Sequence, residues 1–454
     1  MKALLLLAIA LCVAIPSRFV AAALPVIWVL QRLLPPELTA LVHLGPVEVA
    51  PSDLIILVLF VRLAVSVFVQ RELVVDRPLY LALGAYLAVN LVSTLVAGIK
   101  FGEPQLMRCA TSWARFISEL LIVPIIAQSV RTLPQARMVL RVLLVTLAGL
   151  AVIQFVNYLG AGHGFIIGEV QGIERGEERY FGPVGDSVGA ILLLGYLTAL
   201  CFANFLGAGL FLGGILLTAG IGAILAAVVG SAFFVFFGLQ TEAVRDFARR
   251  MLWLLPMLAL AALLAATFFA RPMMRTLFDR LGTGNYSSSG AQRSVSAKLA
   301  VAMIVDNPLL GVGYMGYEQA LPHYDGDRYF DLTKPDGATA NANNQFLQSL
   351  TDSGIFGLAA FTAFVVAAAR LLLRLATQGD DRFLRTFFLA AFLWLLAQVF
   401  GNLAAVWLNP SSFVARFLWV VLGVAVAVSR IYAAPGAGLA ISEADSEKSR
   451  LVTA

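Results

Sequence analysis

Apolar runs follow one another along almost the whole chain, and they are separated by short polar intervals rich in arginine. A run of about 20 helical residues covers a hydrocarbon core of about 30 Å. Such runs occupy 3–23, 52–70, 79–98, 112–128, 139–158, 187–204, 206–219, 222–238, 251–270, 350–370, 386–408 and 413–432. They lack the apolar–polar alternation of membrane strands, so the pattern predicts an all-α polytopic membrane protein with about twelve transmembrane helices. The stretch 206–238 is long for one span and short for two. Gly220 and Gly222 offer the break, and two helices keep the arginine pattern in phase.

With both termini inside, four arginine groups fall on the cytoplasmic side, as positive-inside bias requires. They are Arg71/Arg77, Arg131/Arg137/Arg141, Arg245/Arg249/Arg250 and Arg370/Arg374/Arg382/Arg385. The resulting plan has N-terminal spans to 158, an exported loop at 159–186, central spans over 187–270, a large exported loop at 271–349, C-terminal spans over 350–432 and a disordered cytoplasmic tail at 433–454. Lys2 and the apolar stretch Ala3–Ile15 also have the shape of a signal peptide ending in small residues at Ala21–Ala23. A first uncleaved span has the same shape and is the preferred reading.

Composition agrees: 60% of residues are hydrophobic and 13% charged, with a mean hydropathy of +0.87. A soluble domain carries about 25% charged residues. The formal charge of +5 comes from scattered Lys and Arg, with no basic stripe for nucleic acid. Cys12, Cys109 and Cys201 have no metal-binding spacing and read as packing residues. Arg62 and Glu119 sit near the middle of their spans at similar depth, which predicts either an ion pair between them or a grip on a lipid headgroup.

Candidate chemistry concentrates in the two exported loops. The first carries Glu174, Arg175, Glu177, Glu178 and Arg179, then Tyr180-Phe181-Gly182-Pro183 before a span opens. Arginine forks at a helix entrance suit an anionic ligand, while a solvated charged loop has the same composition. The second loop holds Asp279, Arg280 and then Arg293–Val305, whose apolar residues Val295, Leu299, Ala302 and Met303 have helical spacing. A short interfacial helix with Arg293 and Lys298 toward headgroups, or a helix packed on the bundle, fits that spacing. Asp306-Asn307-Pro308-Leu309-Leu310-Gly311-Val312-Gly313-Tyr314 follows as a helix end and glycine turn. The amides Asn341, Asn343 and Asn344 lead into Gln345–Leu358, as helix caps or as ligands for sugar hydroxyls.

On three stretches the chain resembles the O-antigen ligase and Wzy-type polysaccharide polymerase superfamily of membrane glycosyltransferases (GT-C type): Arg179–Pro183, Arg293–Tyr314, and the Asn-Gln-Phe-Leu-Gln-Ser-Leu to Gly-Ile-Phe-Gly-Leu stretch. The resemblance spans about residues 150–375. It implies transfer or polymerisation of a glycan carried on undecaprenyl diphosphate, at the periplasmic face of a bacterial inner membrane. It also implies short helices within a large periplasmic catalytic loop. By the same matching, Arg179 and Arg293 fall where the family holds the donor diphosphate, with Arg280 a third candidate. Arg175, Asn341, Asn343, Asn344, Asp306 and Tyr314 are the further candidates for substrate contact.

Two departures bear on the activity. Where ligases of this superfamily place a histidine, the chain reads Asn343-Asn344, and His323 is about twenty residues earlier. The family's Ser-Arg-Gly signature appears as Thr218-Ala219-Gly220, without the arginine. The first departure favours polymerase over ligase. A diphosphate is already a good leaving group, so arginines suffice to neutralise departing charge, and neither metal nor cofactor is expected. Glu178, Glu177, Glu174 and Asp336 are candidate bases. The expected partners are the lipid-linked glycan, the bilayer and a chain-length regulator or export complex. A lipid-linked oligosaccharide transporter or a non-catalytic export subunit are the rival classes.

Overall fold

The computed structural model describes residues 15–32, 42–44, 47–49, 51–70, 73–160, 167, 169–171, 179–182, 187–218, 221–238, 288–325, 341–403, 406 and 412–433. Fourteen helices are described: α1 Ser17–Gln31, α2 Pro51–Gln70, α3 Arg77–Phe101, α4 Glu103–Leu120, α5 Ile122–Ser129, α6 Leu133–Gly160, α7 Val188–Cys201, α8 Phe205–Leu217, α9 Ile221–Gly238, α10 Ser288–Asp306, α11 Tyr317–Tyr324, α12 Gln345–Gln378, α13 Arg382–Gly401 and α14 Phe413–Ala433. Among the described residues, seven continuous helical stretches are long and apolar enough to cross a membrane, and four shorter apolar helices accompany them. The protein is therefore an all-α polytopic membrane protein. The predicted span 251–270, the arginines at 245–250 and the tail beyond Ala433 lie outside the described residues.

Several elements differ from expectation. Two antiparallel hairpins, β1 Val42–Leu44 with β2 Val47–Val49 and β3 Glu169–Gln171 with β4 Arg179–Gly182, occupy loops read as irregular. The β-branched residues around Gly45-Pro46 were the available signal for the first. The helix nearest the predicted first span runs to Gln31 and buries Val20, Ala21, Ala22 and Leu24, so the small residues pack between helices. The predicted span 112–128 is a broken pair, α4 and α5: Pro124 has no N–H to continue the helical ladder across Leu120–Leu121.

The core lies around α14, α7 and α13. Every residue of α14 from Phe413 to Val428 is buried, and α7 is buried throughout its first turns. A helix apolar on all sides belongs at a bundle centre. The one charge in that buried run is Arg416, whose Nε and Nη2 donate to Glu119 Oε1 at 3.1 and 2.9 Å. Glu119 therefore pairs with Arg416, with Arg115 4.0 Å away, and not with Arg62. Arg62 instead donates from Nη1 to the Ile15 carbonyl at 2.6 Å. Arg416 escaped the sequence reading because it sits one turn inside the last span, where it looks like an edge charge.

Polar contacts gather at the two ends of the bundle. At one end Asp76 and Asp381 each cap a helix, α3 and α13, and each also holds an arginine, Arg374 and Arg137 respectively. A carboxylate at a helix N-terminus gains from capping, the helix dipole and the ion pair together. At the other end lie the ends of α3, α6 and α13, the starts of α7 and α12, and the helices α10 and α11.

Truncating one partner of the Glu119–Arg416 pair leaves the other charge buried, a loss of about 3 kcal/mol or more. Glu119→Gln is expected to lower thermal stability in detergent strongly, and Glu119→Gln with Arg416→Met to recover most of it. A double variant as unstable as the sum of both single ones would remove the pair from the account.

Candidate functional site

The loop end is built on a break in α12. At Ser353 (φ −137°) and Gly354 (φ +63°) the helix leaves its ladder, which strips the Thr351 and Asp352 carbonyls and the Ile355 N–H of their usual partners. The segment after α10 replaces them. Val312 N–H donates to Thr351 O and Gly313 N–H to Asp352 O, both at 2.9 Å, while Ile355 N–H donates to Pro308 O at 2.9 Å. The two motifs singled out in the sequence, Asp306–Tyr314 and Gln345–Leu358, are therefore each other's partner.

Glycine makes the approach possible. A Cβ on Gly354 would lie 2.2 Å from the Leu309 carbonyl, and one on Gly311, itself at φ +67°, would lie 2.3 Å from Thr351 O. Ser93 Oγ of α3 lies 2.6 Å from both the Leu310 and the Asp352 carbonyl oxygens. Gln105 Nε2 of α4 donates to Val312 O at 2.7 Å and Gly316 O at 3.0 Å. Asp352 accepts from Gln348 Nε2 at 2.7 Å and from the Met315 backbone. Tyr314 is buried and stacked on Phe116, with centroids 5.4 Å apart, so it fills the core beneath the turn.

A small second core sits above this junction. Ala300 and Met303 of α10, Tyr317, Ala320 and Leu321 of α11, Val312 and Ala342 are all buried together. Of the predicted stripe Val295, Leu299, Ala302 and Met303, Met303 is buried and Leu299 partly so, while Ser296 and Ala300 take the places expected for Val295 and Ala302. The cause is polar: Tyr317 Oη donates to the Ser296 carbonyl at 2.8 Å, and Asn343 Nδ2 reaches Ser296 Oγ at 3.5 Å. Burial pushes the Tyr317 phenol up to about 12, so it remains a donor across the working pH range. The helix is packed on the bundle, and it leaves Arg293 and Lys298 exposed.

The asparagines divide their work. Asn344 is the N-cap of α12: its Oδ1 accepts from Phe346 and Leu347 N–H at 2.9 and 3.0 Å, and its Nδ2 donates to Leu403 O. Asn343 holds a left-handed backbone (φ +51°), which asparagine tolerates, and leans on Asn341 through two hydrogen bonds. Asn343 lies one helical turn from Arg293, because Ser296 is its contact on α10. Asp306 ends α10 on the exposed side, next to Asn307, which accepts from Lys100 Nζ at 2.6 Å and donates to Tyr324 Oη at 3.0 Å.

The loop 159–186 is tied to the same end. Asn157 of α6 exchanges two hydrogen bonds with Ile167, and the strand carrying Arg179 packs on α6 opposite Gln171. Where α7 begins, Trp394 Nε1 and Gln398 Nε2 of α13 both donate to Ala190 O at 2.8 Å. One turn further, the Asn402 carbonyl accepts from Gln345 N–H. The end of α13 thus joins the exit of the first loop to the start of α12. Arg175, Glu174, Glu177, Glu178, Asp279, Arg280 and Asp336 lie outside the described residues, as does the Arg179 side chain. Sequence reasoning missed Gln398 and Asn402, whose only signal was amides at the end of an otherwise apolar helix. Thr218, from the altered Ser-Arg-Gly position, is buried against Gly189 at the start of α7. Among the described residues no group of His, Cys, Asp or Glu could hold a metal ion.

Gly354→Ala forces a side chain into the Leu309 carbonyl and a left-handed backbone, and is expected to cost about 2 kcal/mol or more in thermal stability. Gly84→Ala and Gly149→Ala, whose surroundings are open, are the controls and should remain within about 0.5 kcal/mol of the parent. Equal stability of all three would mean that the break is not held as described.

No curated protein matches the chain. Residues 206–362 match the Wzy_C family model, described as O-antigen ligase. The match takes in α8, α9, α10, α11, the glycine turn and the break in α12, and leaves out the first exported loop with Arg179. Over residues 206–362 the chain is therefore similar to an O-antigen ligase domain, in the region where its sequence resembles the O-antigen ligase and Wzy-type superfamily.

Proposed function

We propose that the protein is a polymerase that joins oligosaccharide repeats carried on undecaprenyl diphosphate, at the periplasmic face of the bacterial inner membrane. The observation that carries this reading is the exposed Arg293, one turn from the Asn343–Ser296 contact, on a helix anchored to the break in α12 within the matched domain. The loop end faces the periplasm because the arginine-rich loops lie at the other end.

In this reading Arg293 and Arg179 bind the donor diphosphate, with Arg280 and Arg175 in the same exported loops. Forked guanidinium donors stabilise the charge that develops as the anomeric carbon–oxygen bond breaks. Asn343 and Asn341 orient a sugar by their amides, while Asn344 holds the helix start. The acceptor hydroxyl attacks the anomeric carbon from the opposite side and inverts it. Its proton passes to a carboxylate of the first loop, Glu178 being the assigned base, and the lipid diphosphate leaves. No step needs a metal.

One observation favours a second reading, transfer of the finished glycan to a lipid A core: the matched domain is described as O-antigen ligase. His323 would then be the base. It is exposed on α11, with its ring 5.4 Å from that of Phe101 and near Lys100. The two readings share the donor and differ in the acceptor.

Loss of one contact to a developing anion costs about 3 to 4 kcal/mol, or 10²–10³ in rate. Arg293→Ala and Arg179→Ala, returned to a strain lacking the gene, are therefore expected to abolish long surface polymer on a glycan gel while single repeats still reach their acceptor. His323→Ala should leave the ladder intact. Full loss of attached glycan, with polymer held on the lipid carrier, would replace the polymerase by the ligase.

A further inference from the structure

A second cationic constellation lies at the opposite end of the bundle. A cavity of about 290 Å³ opens between the start of α1, the second half of α2 and the α5–α6 turn. Arg18, Arg62 and Arg131, one from each of these elements, line it together with Ser17, Ser66 and Gln135, and no Asp or Glu is among the lining residues. Gln135 Oε1 accepts from the Arg131 backbone N–H at 2.8 Å, which fixes the turn that carries Arg131. Arg62 is drawn to the α1 entrance by its bond to the Ile15 carbonyl. The N-terminus of α1 forms part of the wall. Its N-cap is Pro16, with no side-chain acceptor, and its first turn has no acid, so the positive end of the helix is uncompensated by its own sequence.

Three guanidinium groups, serine hydroxyls and a helix N-terminus drawn around one cavity add their positive fields there, which favours an anion between them. The cavity is too far from the loop end to share its ligand. Gln135 and Asn157 lie on the same helix 22 residues apart, about 33 Å at 1.5 Å per residue. We propose that this cavity is a binding site for a phosphate-bearing anion, presented as a lipid headgroup by the adjacent leaflet or as a free phosphate compound. Planar guanidinium forks from three directions match phosphate oxygens better than a single carboxylate. The site accounts for the intramembrane Arg62, which has no role in the glycan site.

The full-length protein in phosphatidylcholine nanodiscs provides the test, with phosphatidylglycerol titrated into the discs or inorganic diphosphate into the buffer. Thermal unfolding and native mass spectrometry of retained lipid are the readouts. A saturable stabilisation is expected, with apparent affinity about tenfold weaker for Arg18→Gln and for Arg131→Gln, the loss of one charged hydrogen bond. Arg131 lies on an exposed turn, so its removal does not threaten folding. Arg382→Gln, exposed at the same end, controls for unspecific charge and should bind as the parent does. Stabilisation by phosphatidylglycerol alone identifies a headgroup, and by diphosphate alone a soluble ligand. No saturable effect from either, or equal binding by all variants, would overturn the site.

Discussion

The structure at the loop end depends on one exchange of backbone hydrogen bonds. A helix that breaks beside a bilayer exposes carbonyl and amide groups that lipid cannot satisfy, so a break persists only where another segment supplies partners. In this protein the Asn307–Gly316 turn supplies them to α12 through Val312, Gly313 and Pro308. The contact is backbone to backbone, which is why both sides need glycine and why Ser93 and Gln105 bond to main-chain carbonyls. The candidate chemistry of the second loop rests on this junction. It sets the height of α10 over α12, and with it the place of Arg293 relative to Asn343.

The same junction explains why the site lies where three polar segments meet. The end of α13 bonds the start of α7 through Gln398 and the start of α12 through Asn402. Both polar loops are thereby referred to one set of helix ends, one loop through Ala190 and the other through Gln345. A transferase that holds a diphosphate in one loop and a sugar in the other needs that common reference, since misplacement by about 1 Å costs orders of magnitude in rate.

Much of this was legible in the sequence. Apolar run length located the long helices among the described residues, because the bilayer imposes a length that composition alone reports, and the Gly-Val-Gly stretch was evident as a place of close approach. Their mutual pairing was not legible, since backbone hydrogen bonds between segments about 40 residues apart leave no periodicity. Glu119 was recognisable as a charge in need of a partner, but the partner, Arg416, is 297 residues away, and Arg62 at similar depth was the wrong choice. The face of α10 was legible at Leu299 and Met303 but not at Ser296, which is polar by composition and interior by its contacts. Asn344 and Asn343 read alike in sequence, and only geometry separates the helix cap from the amide left toward the surface.

Reconstitution tests the central claim most directly. The purified full-length protein in liposomes, given only an undecaprenyl-diphosphate-linked repeat and a chelator, is incubated and its products are separated by length. The account predicts a ladder of polymer still attached to the lipid carrier, with one undecaprenyl diphosphate released for each bond formed. Unchanged single repeats with no diphosphate released would contradict it.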